Sequence, residues 1–477
     1  MRFYGQGETI EERAALRLLS LKLKIAGLAF GFLICAAVDH ADARQLIPVA
    51  AVAVSSDVFL SSLGVNTHVD QGYDPARYVS PLRYLGVRNI RDGENNLSGH
   101  LMLHEQTGMM VDLFGADVKG LTAAARTLTQ AGMLLAIEGP NEPNNFPIVY
   151  NGRQGGGPAM NWLPSWVMGW LPDWLLSRLP GWPTWLPVAE LQRDIYSAVK
   201  NDPELSRYPV FHVSEGGAEN DNAGLQFLTI PVGAATLFPD GTRFADYANA
   251  HNYVSGVRGG YVDNQAWQAA DPTLDSNWDG LYGEYGRTWR RHFRGYSNDL
   301  LESLPRVTTE TGWDAASPAE ERTQGTVLVN TYLAQFKRGW RYTFIYELGE
   351  GEGGGGNQGL FHQDWTPKLA ATYIHNLTSI LADNVPVAAP GKLDYSIANA
   401  PATVHDLLLQ KSSGVFELVV WGEQVAGASN ITVDFGASYA KVRIYDTTVG
   451  TTPIQILTDV TSVPLVISDH ALILEIQ

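Results

Sequence analysis

Cysteine is almost absent from this 477-residue chain; Cys35 is the only one. One thiol cannot close an internal disulfide, and it cannot build a structural thiolate–zinc site. Basic residues are also scarce. Lysine and arginine number 33 against 50 acidic residues, giving a formal net charge of −17 with no basic stripe. That balance argues against a nucleic-acid partner. Charged residues make up only 17% of the chain and hydrophobic ones 45%, which describes a globular protein and excludes a disordered one. No internal repeat of solenoid period is present. The glycine run Gly351–Gly356, broken by Glu352, has no Lys-Ser/Thr partner and opens no helix. It reads as a flexible loop and not as a phosphate cradle.

The apolar run Ile25–Val38 is too short to span a bilayer comfortably. Arg13, Arg17, Lys22 and Lys24 precede it, and Ala41-Asp-Ala43 fits a small-x-small cleavage site. Residues 1–43 therefore read as a signal peptide, which predicts a secreted or periplasmic protein with no cysteine left after cleavage. The long extension before Lys22, with Glu8, Glu11 and Glu12, leaves an uncleaved anchor as the alternative. A lipoprotein signal fails, because Ile34 and not a small residue precedes Cys35.

From residue 56 onward, short apolar runs alternate with amphipathic stretches. Strands are predicted at Phe59–Val65, Val87–Arg91, Met109–Phe114, Met133–Ile137, Pro209–Val213, Phe244–His251, Arg306–Glu310 and Tyr342–Tyr346. Helices are predicted at Pro75–Leu85, Val118–Gln130, Val188–Lys200, Gly280–Leu304, Pro318–Lys337 and Pro367–Leu381. Eight strand–helix alternations over 56–382 match an α/β fold of the (β/α)8 TIM-barrel type. After Pro386 the texture changes to short alternating runs: Val404–Gln410, Val415–Trp421, Ile431–Phe435, Ala440–Tyr445, Ile454–Leu457 and Leu472–Ile476. Residues 386–477 are thus predicted to form a small antiparallel β-sandwich, with Arg44–Val54 as the source of an additional strand.

The chemistry concentrates at two predicted strand ends. Ala136-Ile-Glu-Gly-Pro-Asn-Glu-Pro-Asn144 delivers Asn141 and Glu142 at the tip of the fourth strand. Thr308-Thr-Glu-Thr-Gly-Trp313 delivers Glu310 at the seventh. Two carboxyls on separate strand ends suit glycoside hydrolysis, in which one protonates the leaving oxygen and the other attacks the anomeric carbon or activates water. Asn141 can donate a hydrogen bond to a neighbouring sugar hydroxyl. In that scheme the proton-donating carboxyl must be protonated; where Glu142 plays that part, burial and a nearby negative charge should raise its pKa. No metal or organic cofactor is required. The 13 Trp and 20 Tyr add rings that stack on sugar faces, although core packing accounts for about half of them.

Other polar groups compete for roles. Glu138 reads as a buried, hydrogen-bonded core group, while Glu215 and Glu347 follow strands and could equally line a cleft. Asn66 and His68 end the first strand, as sugar-binding groups or as structural ones. The insertion 144–187 carries Trp162, Trp166, Trp170, Trp174, Trp182 and Trp185 between five prolines. Its readings are a lid with stacking sites, burial against the rim or a subunit partner, and contact with a membrane surface.

With Glu-Gly-Pro-Asn-Glu-Pro-Asn after a fourth strand and Thr-Glu-Thr-Gly-Trp at the seventh, the chain resembles the retaining glycoside hydrolases of clan A, most closely the family 39 type with a C-terminal β-sandwich. The resemblance implies that Glu142 is the general acid/base and Glu310 the nucleophile. It implies further that Arg91 at the second strand orients Glu310, and that His251 and Tyr253 stand for the clan's His-x-Tyr at the sixth. An exported glycosidase acting on a β-linked oligo- or polysaccharide is the reading that follows. The alternatives are a transglycosylase using the same carboxyls and a non-catalytic carbohydrate-binding or envelope-assembly protein. Sugar identity, endo or exo action and oligomeric state do not follow from these residues.

Overall fold

The computed structural model describes residues 48–157, 186–214, 216, 228–233, 238–254, 303–424 and 426–477. The signal segment, the tryptophans of the insertion, Glu215 and nearly all of the predicted helix at 280–304 lie outside them.

Two short strands, β1 (Val49–Val52) and β2 (Val54–Ser55), lead into a single helical turn, α1 (Ser56–Leu60). The barrel follows. Its strands are β3 (Leu63–Asn66), β4 (Asn89–Gly93), β5 (Met110–Phe114) and β6 (Leu134–Glu138) in the first half. Helix α2 (Val79–Leu85) precedes β4, and the helices α3 (Leu97–Thr107) and α4 (Val118–Gln130) come between β4 and β6. A small hairpin, β7 (Ile148–Tyr150) and β8 (Arg153–Gly155), opens the insertion and is tied to α5 (Leu186–Lys200) by a Tyr150–Asp194 hydrogen bond of 2.6 Å. The second half consists of β9 (Val210–Phe211), β10 (Ala248–His251), β11 (Arg306–Thr311), α6 (Pro318–Lys337), β12 (Tyr342–Ile345) and α7 (Leu369–Ile380).

All eight barrel strands run parallel in the order β10-β11-β12-β3-β4-β5-β6-β9. Parallel bridges from Phe211 to Tyr247 and from Gly216 to His251 join the two ends and close the cylinder. The expected (β/α)8 barrel is therefore what the chain forms. Local chemistry sets its boundaries. Asp117 caps α4 through the amides of Lys119 and Gly120, and Gly86 ends α2 at φ 68°, a conformation that glycine adopts without a Cβ penalty. Phe59 and Leu60, expected in the first strand, instead belong to α1, and the strand begins at Leu63. The helix α3 was not expected; it buries only Gly99, His100 and Leu103 and has no apolar stripe to announce it.

The second sheet gathers β1 and β2 with β13 (Lys392–Ala398), β14 (Val404–Gln410), β15 (Phe416–Gly422), β16 (Ser429–Asp446), β17 (Gln455–Ile467) and β18 (Ala471–Ile476). Pairing is antiparallel except between β2 and β14. Three expectations change. The runs Ile431–Phe435 and Ala440–Tyr445 are one continuous strand with a register shift after Asp434, which bends it so that one half pairs with β13 and the other with β18. The strand expected at Ile454–Leu457 extends to Ile467, with Pro464 accommodated because β17 is an edge. Strand β13 was not anticipated.

Alternation in this sheet serves two cores. Leu408, Leu418, Val420, Leu472 and Leu474 point into the sandwich, while Leu407, Leu409, Val419, Trp421, Ala471 and Ile473 join the core that includes the barrel helices. Helix α6 is packed in the latter core, against this face of the sheet. Its Asn330 donates to the carbonyls of Gly422 and Asp469 at 3.1 and 3.0 Å, and Lys337 reaches Asp406 at 2.9 Å. No helix among the described residues is long and apolar enough to cross a membrane.

His470 lies at this junction, 3.2 Å from both Asp446 and Asp469, and Asp469 also pairs with Arg322 of α6. Burial opposes a charge on the imidazole, but the two aspartates outweigh it and push its pKa up to about 9. A folded-state pKa above the unfolded one contributes stability below about pH 6.5 that is lost as pH rises through about 9. The wild-type Tm should therefore fall between pH 7 and 10 more steeply than that of His470→Gln; parallel curves would remove His470 from this role.

Candidate active site

Inside the barrel, alternate residues of each strand point inward. A lower layer of Ala136, Phe211, Val307, Tyr342 and Phe344 is apolar. Above it the interior turns polar: Arg91, Asp112, Glu138, Asn249 and Thr309 are all buried. This layer carries Glu142 and Glu310 at the C-terminal mouth, 9% and 6% exposed.

Arg91 lies in the middle of β4, not at its tip, because the strand continues through Asp92 to Gly93. Its five N–H groups all find acceptors. Nε and one Nη2 hydrogen go to the two oxygens of Glu138, both at 2.8 Å, and the other Nη2 hydrogen to Asn141 at 2.9 Å. Nη1 donates to Asn66 at 3.2 Å and to Glu310 at 2.6 Å. The guanidinium also stacks on Phe114, 4.4 Å from its ring centre. Burial works against its charge, but Glu138 and Glu310 hold it protonated.

Glu310 receives two further contacts. The Tyr253 hydroxyl donates to Oε2 at 2.7 Å, and His251 Nδ1 lies 3.3 Å from the same oxygen. Burial and the charges of Glu310 and Glu142 push the Tyr253 pKa far up, so the phenol keeps its proton and remains a donor. Residues His251 and Glu310 stand side by side because β10 and β11 pair in that register.

Glu142 leaves β6 through a turn in which it takes φ 37°, a left-handed conformation rare for a residue with a side chain and common at functional positions. Its carbonyl accepts the amides of Asn145 and Phe146 at 2.8 and 2.7 Å. Its carboxylate takes His251 Nδ1 at 2.6 Å and Asn145 Nδ2 at 2.8 Å. A Cβ at Gly216 would meet Glu142 Oε1 at 3.0 Å and Asn145 at 2.5 Å, so that position must stay small. The expectation of a raised Glu142 pKa is corrected here. Burial does push it up, but the hydrogen bond and charge of His251, then Asn145 and Arg91, bring it below the usual range.

The two remaining sequence candidates differ from these. Asn66 is a buried strut that bonds the Thr309 carbonyl at 3.0 Å and accepts from Arg91. His68 stands apart with the eighth strand: its Nδ1 lies 3.8 Å from Glu347 and 3.9 Å from Glu352 without completing a hydrogen bond. Burial, then the Glu352 charge, pushes the Glu347 pKa up to about 9. Glu352 itself accepts from Tyr78 at 2.8 Å, which places the glycine-run glutamate inside the structure and not in a free loop. Asn145, Tyr346 and Asp112 were missed in the sequence. No motif marks them, although Asp112 within the apolar run Met109–Phe114 was a visible irregularity.

One oxygen each of Glu142 and Glu310 and one nitrogen of His251 all lie within 4.8 Å of one another, a reach suited to a metal ion. Arg91 and Tyr253 already occupy both oxygens of Glu310, and a guanidinium at that distance repels a cation.

No protein-family model matches the chain, and no curated protein matches its sequence. Solved structures do. A family 39 glycoside hydrolase from the gut symbiont Bacteroides cellulosilyticus WH2 aligns over 90% of this chain and 83% of its own, at 16% identity and a TM-score of 0.54. CelM2, a bifunctional glucanase-xylanase from a metagenome library, aligns over 90% and 97% at 11% identity and a TM-score of 0.50. At such identities the likeness establishes the shared fold.

Replacing Arg91 leaves Glu138 and Glu310 buried without compensation. Arg91→Met should lower the unfolding free energy by about 3–5 kcal/mol, read as a shift of the urea midpoint; a shift under about 1 kcal/mol, the range of an exposed ion pair, would contradict the hub described above.

Proposed function

We propose that this chain is an exported retaining glycoside hydrolase acting on a β-linked oligo- or polysaccharide. The observation that carries the reading is the approach of Glu142 and Glu310, with an oxygen of each within 4.8 Å of the other. So close an approach of their nearest oxygens favours double displacement, whose carboxyls lie about 5–5.5 Å apart, over inversion, which separates them by about 6.5–9.5 Å to admit water. The surroundings of the two groups suit different tasks. Glu310, bonded by Arg91 and Tyr253, is the nucleophile; Glu142, bonded by His251 and Asn145, is the acid and then the base. Export rests on the N-terminal signal pattern alone.

In the mechanism, a Glu310 oxygen attacks the anomeric carbon while Glu142 protonates the departing glycosidic oxygen. His251 Nδ1 lies 2.6 Å from the Glu142 carboxylate. Sugar binding excludes water from the mouth, which favours the protonated, neutral form of Glu142 over the carboxylate. Esterification removes the Glu310 charge, after which ionised Glu142 takes a proton from water and the glycosyl ester is hydrolysed. Asn141, held by Arg91, faces the same mouth and is available to a hydroxyl beside the anomeric carbon. A transglycosylase shares every step but the last, and the ratio of water to sugar transfer separates the two.

Glu310→Gln should abolish sugar release from the susceptible polysaccharide in a panel of xylans, mannans, β-glucans and bacterial exopolysaccharides. Glu142→Gln should cost about 10²–10⁴-fold, and the loss should shrink on aryl glycosides whose leaving group needs no proton. If all forms bind one glycan equally and none cleaves it, the chain is a binding protein. His251→Leu removes the donor that depresses Glu142, which acts protonated. The alkaline limb of kcat/KM should then move to higher pH, and a limb that stays or moves down would count against His251 in this role.

A further inference from the structure

Asp112 takes no part in the mechanism above, yet it lies in the layer directly beneath it. It sits on β5 in register with Arg91 of β4 on one side and Ala136 of β6 on the other, with Glu138 two residues further along β6. Asp112 and Glu138 are both 0% exposed, and neither oxygen of Asp112 completes a hydrogen bond. The guanidinium has no N–H left for it, because all five are committed elsewhere. Arg91 offsets one of the two charges on Glu138 and Glu310, so this group already carries one net negative charge. An ionised Asp112 would add a second, unpaired and unsolvated, which the interior does not tolerate.

We propose that Asp112 and Glu138 act as a carboxyl pair holding one proton, and that this pair positions Arg91 and sets the charge that Arg91 presents to the nucleophile Glu310. The inference rests on the hydrolase reading for its effect on rate, but not for the pair itself. The proton belongs on Asp112. Glu138 uses both oxygens on Arg91 and so stays ionised, whereas an ionised Asp112 would gain only a share of the Arg91 charge and no hydrogen bond from it. Burial and the Glu138 charge accordingly drive the Asp112 carboxyl well above its ordinary range. For Glu138, burial acts in the same sense but Arg91 outweighs it.

The consequence runs through Arg91. Its rigid fork is turned toward Glu138, and Glu310 receives one N–H. Among the described residues, Arg91 faces Glu138, Glu310, Asp112, Asn66, Asn141 and the Phe114 ring. Glu310 faces Arg91, Tyr253, His251 and Glu142, with Tyr346 and Glu347 of the eighth strand adding to its field. Removing the Glu138 charge leaves more of the Arg91 charge to Glu310. That holds the nucleophile as an anion to lower pH and makes it a weaker attacking group. It also frees one side of the fork. Glu138 and Asp112 touch neither substrate nor reacting atoms, so both are positioning residues.

Two measurements test this on the full chain. Infrared difference spectra at neutral pH, edited with 13C-labelled aspartate, should contain the carbonyl band of a protonated carboxylic acid that disappears in Asp112→Asn. The band should also be lost in Glu138→Gln, where Asp112 is free to ionise beside Arg91. No such band in the wild type, or one that survives Glu138→Gln, overturns the pair. In kinetics, Glu138→Gln should lower kcat on the order of 10²-fold with KM little changed. The acid limb of kcat/KM should move to lower pH and return toward its wild-type position in Glu138→Asp, which restores the charge. A rate loss without movement of that limb would reduce Glu138 to a structural role. If no glycan is cleaved, the hydrolase reading fails, while the infrared result still decides the pair.

Discussion

A guanidinium fully removed from water has to find an acceptor for each of its five hydrogens, and Arg91 does so inside the barrel. The partners come from three strands, Asn66 from the first, Glu138 and Asn141 from the fourth and its tip, and Glu310 from the seventh, so that with Arg91 on the second the hub joins four. Leaving any of these groups unpaired would cost several kcal/mol in a medium without water. The hub therefore ties the relative heights and rotations of distant strands to one another. The two carboxylates at the mouth inherit their separation from it.

Around this hub the barrel interior is layered by polarity. Apolar side chains fill the lower end, and above them a polar layer is satisfied almost wholly within itself. Thr309 illustrates the economy: its hydroxyl lies 3.1 Å from His251, 3.2 Å from Glu138 and 2.8 Å from the amide of Asn249. A buried network of this kind is costly when incomplete and rigid when satisfied, and it holds the two carboxylates at the mouth in a fixed relation. The sandwich contributes from outside. By bonding Asn330 and covering the outer side of α6 it braces the helix that follows β11.

Much of the fold was legible from pattern. The helices over 118–130 and 318–337 have the expected boundaries, and the structure shows local reasons for both starts: Asp117 caps one and Pro318 opens the other, neither depending on distant chain. Helix α3 and strand β13 were missed for the opposite reason. Each is buried on a narrow or mixed face, so its sequence has no clean period. The long bend of β16 was read as two strands, since Gly436 to Tyr439 looks like a turn and only the pairing with β17 carries the strand through it.

At the site, sequence alone marked a glutamate before proline at one strand end and a glutamate at another, while Arg91, His251 and Tyr253 entered through the family resemblance and not through their spacing. These are local properties of short segments. Tertiary structure alone decided what those groups do to one another. It brought His251 between the two carboxylates, lowered the proton affinity of Glu142 when burial by itself would have raised it, and turned the Arg91 fork toward Glu138. Proton affinity and hydrogen-bond direction depend on distances between strands far apart in the chain, and no local spacing encodes them.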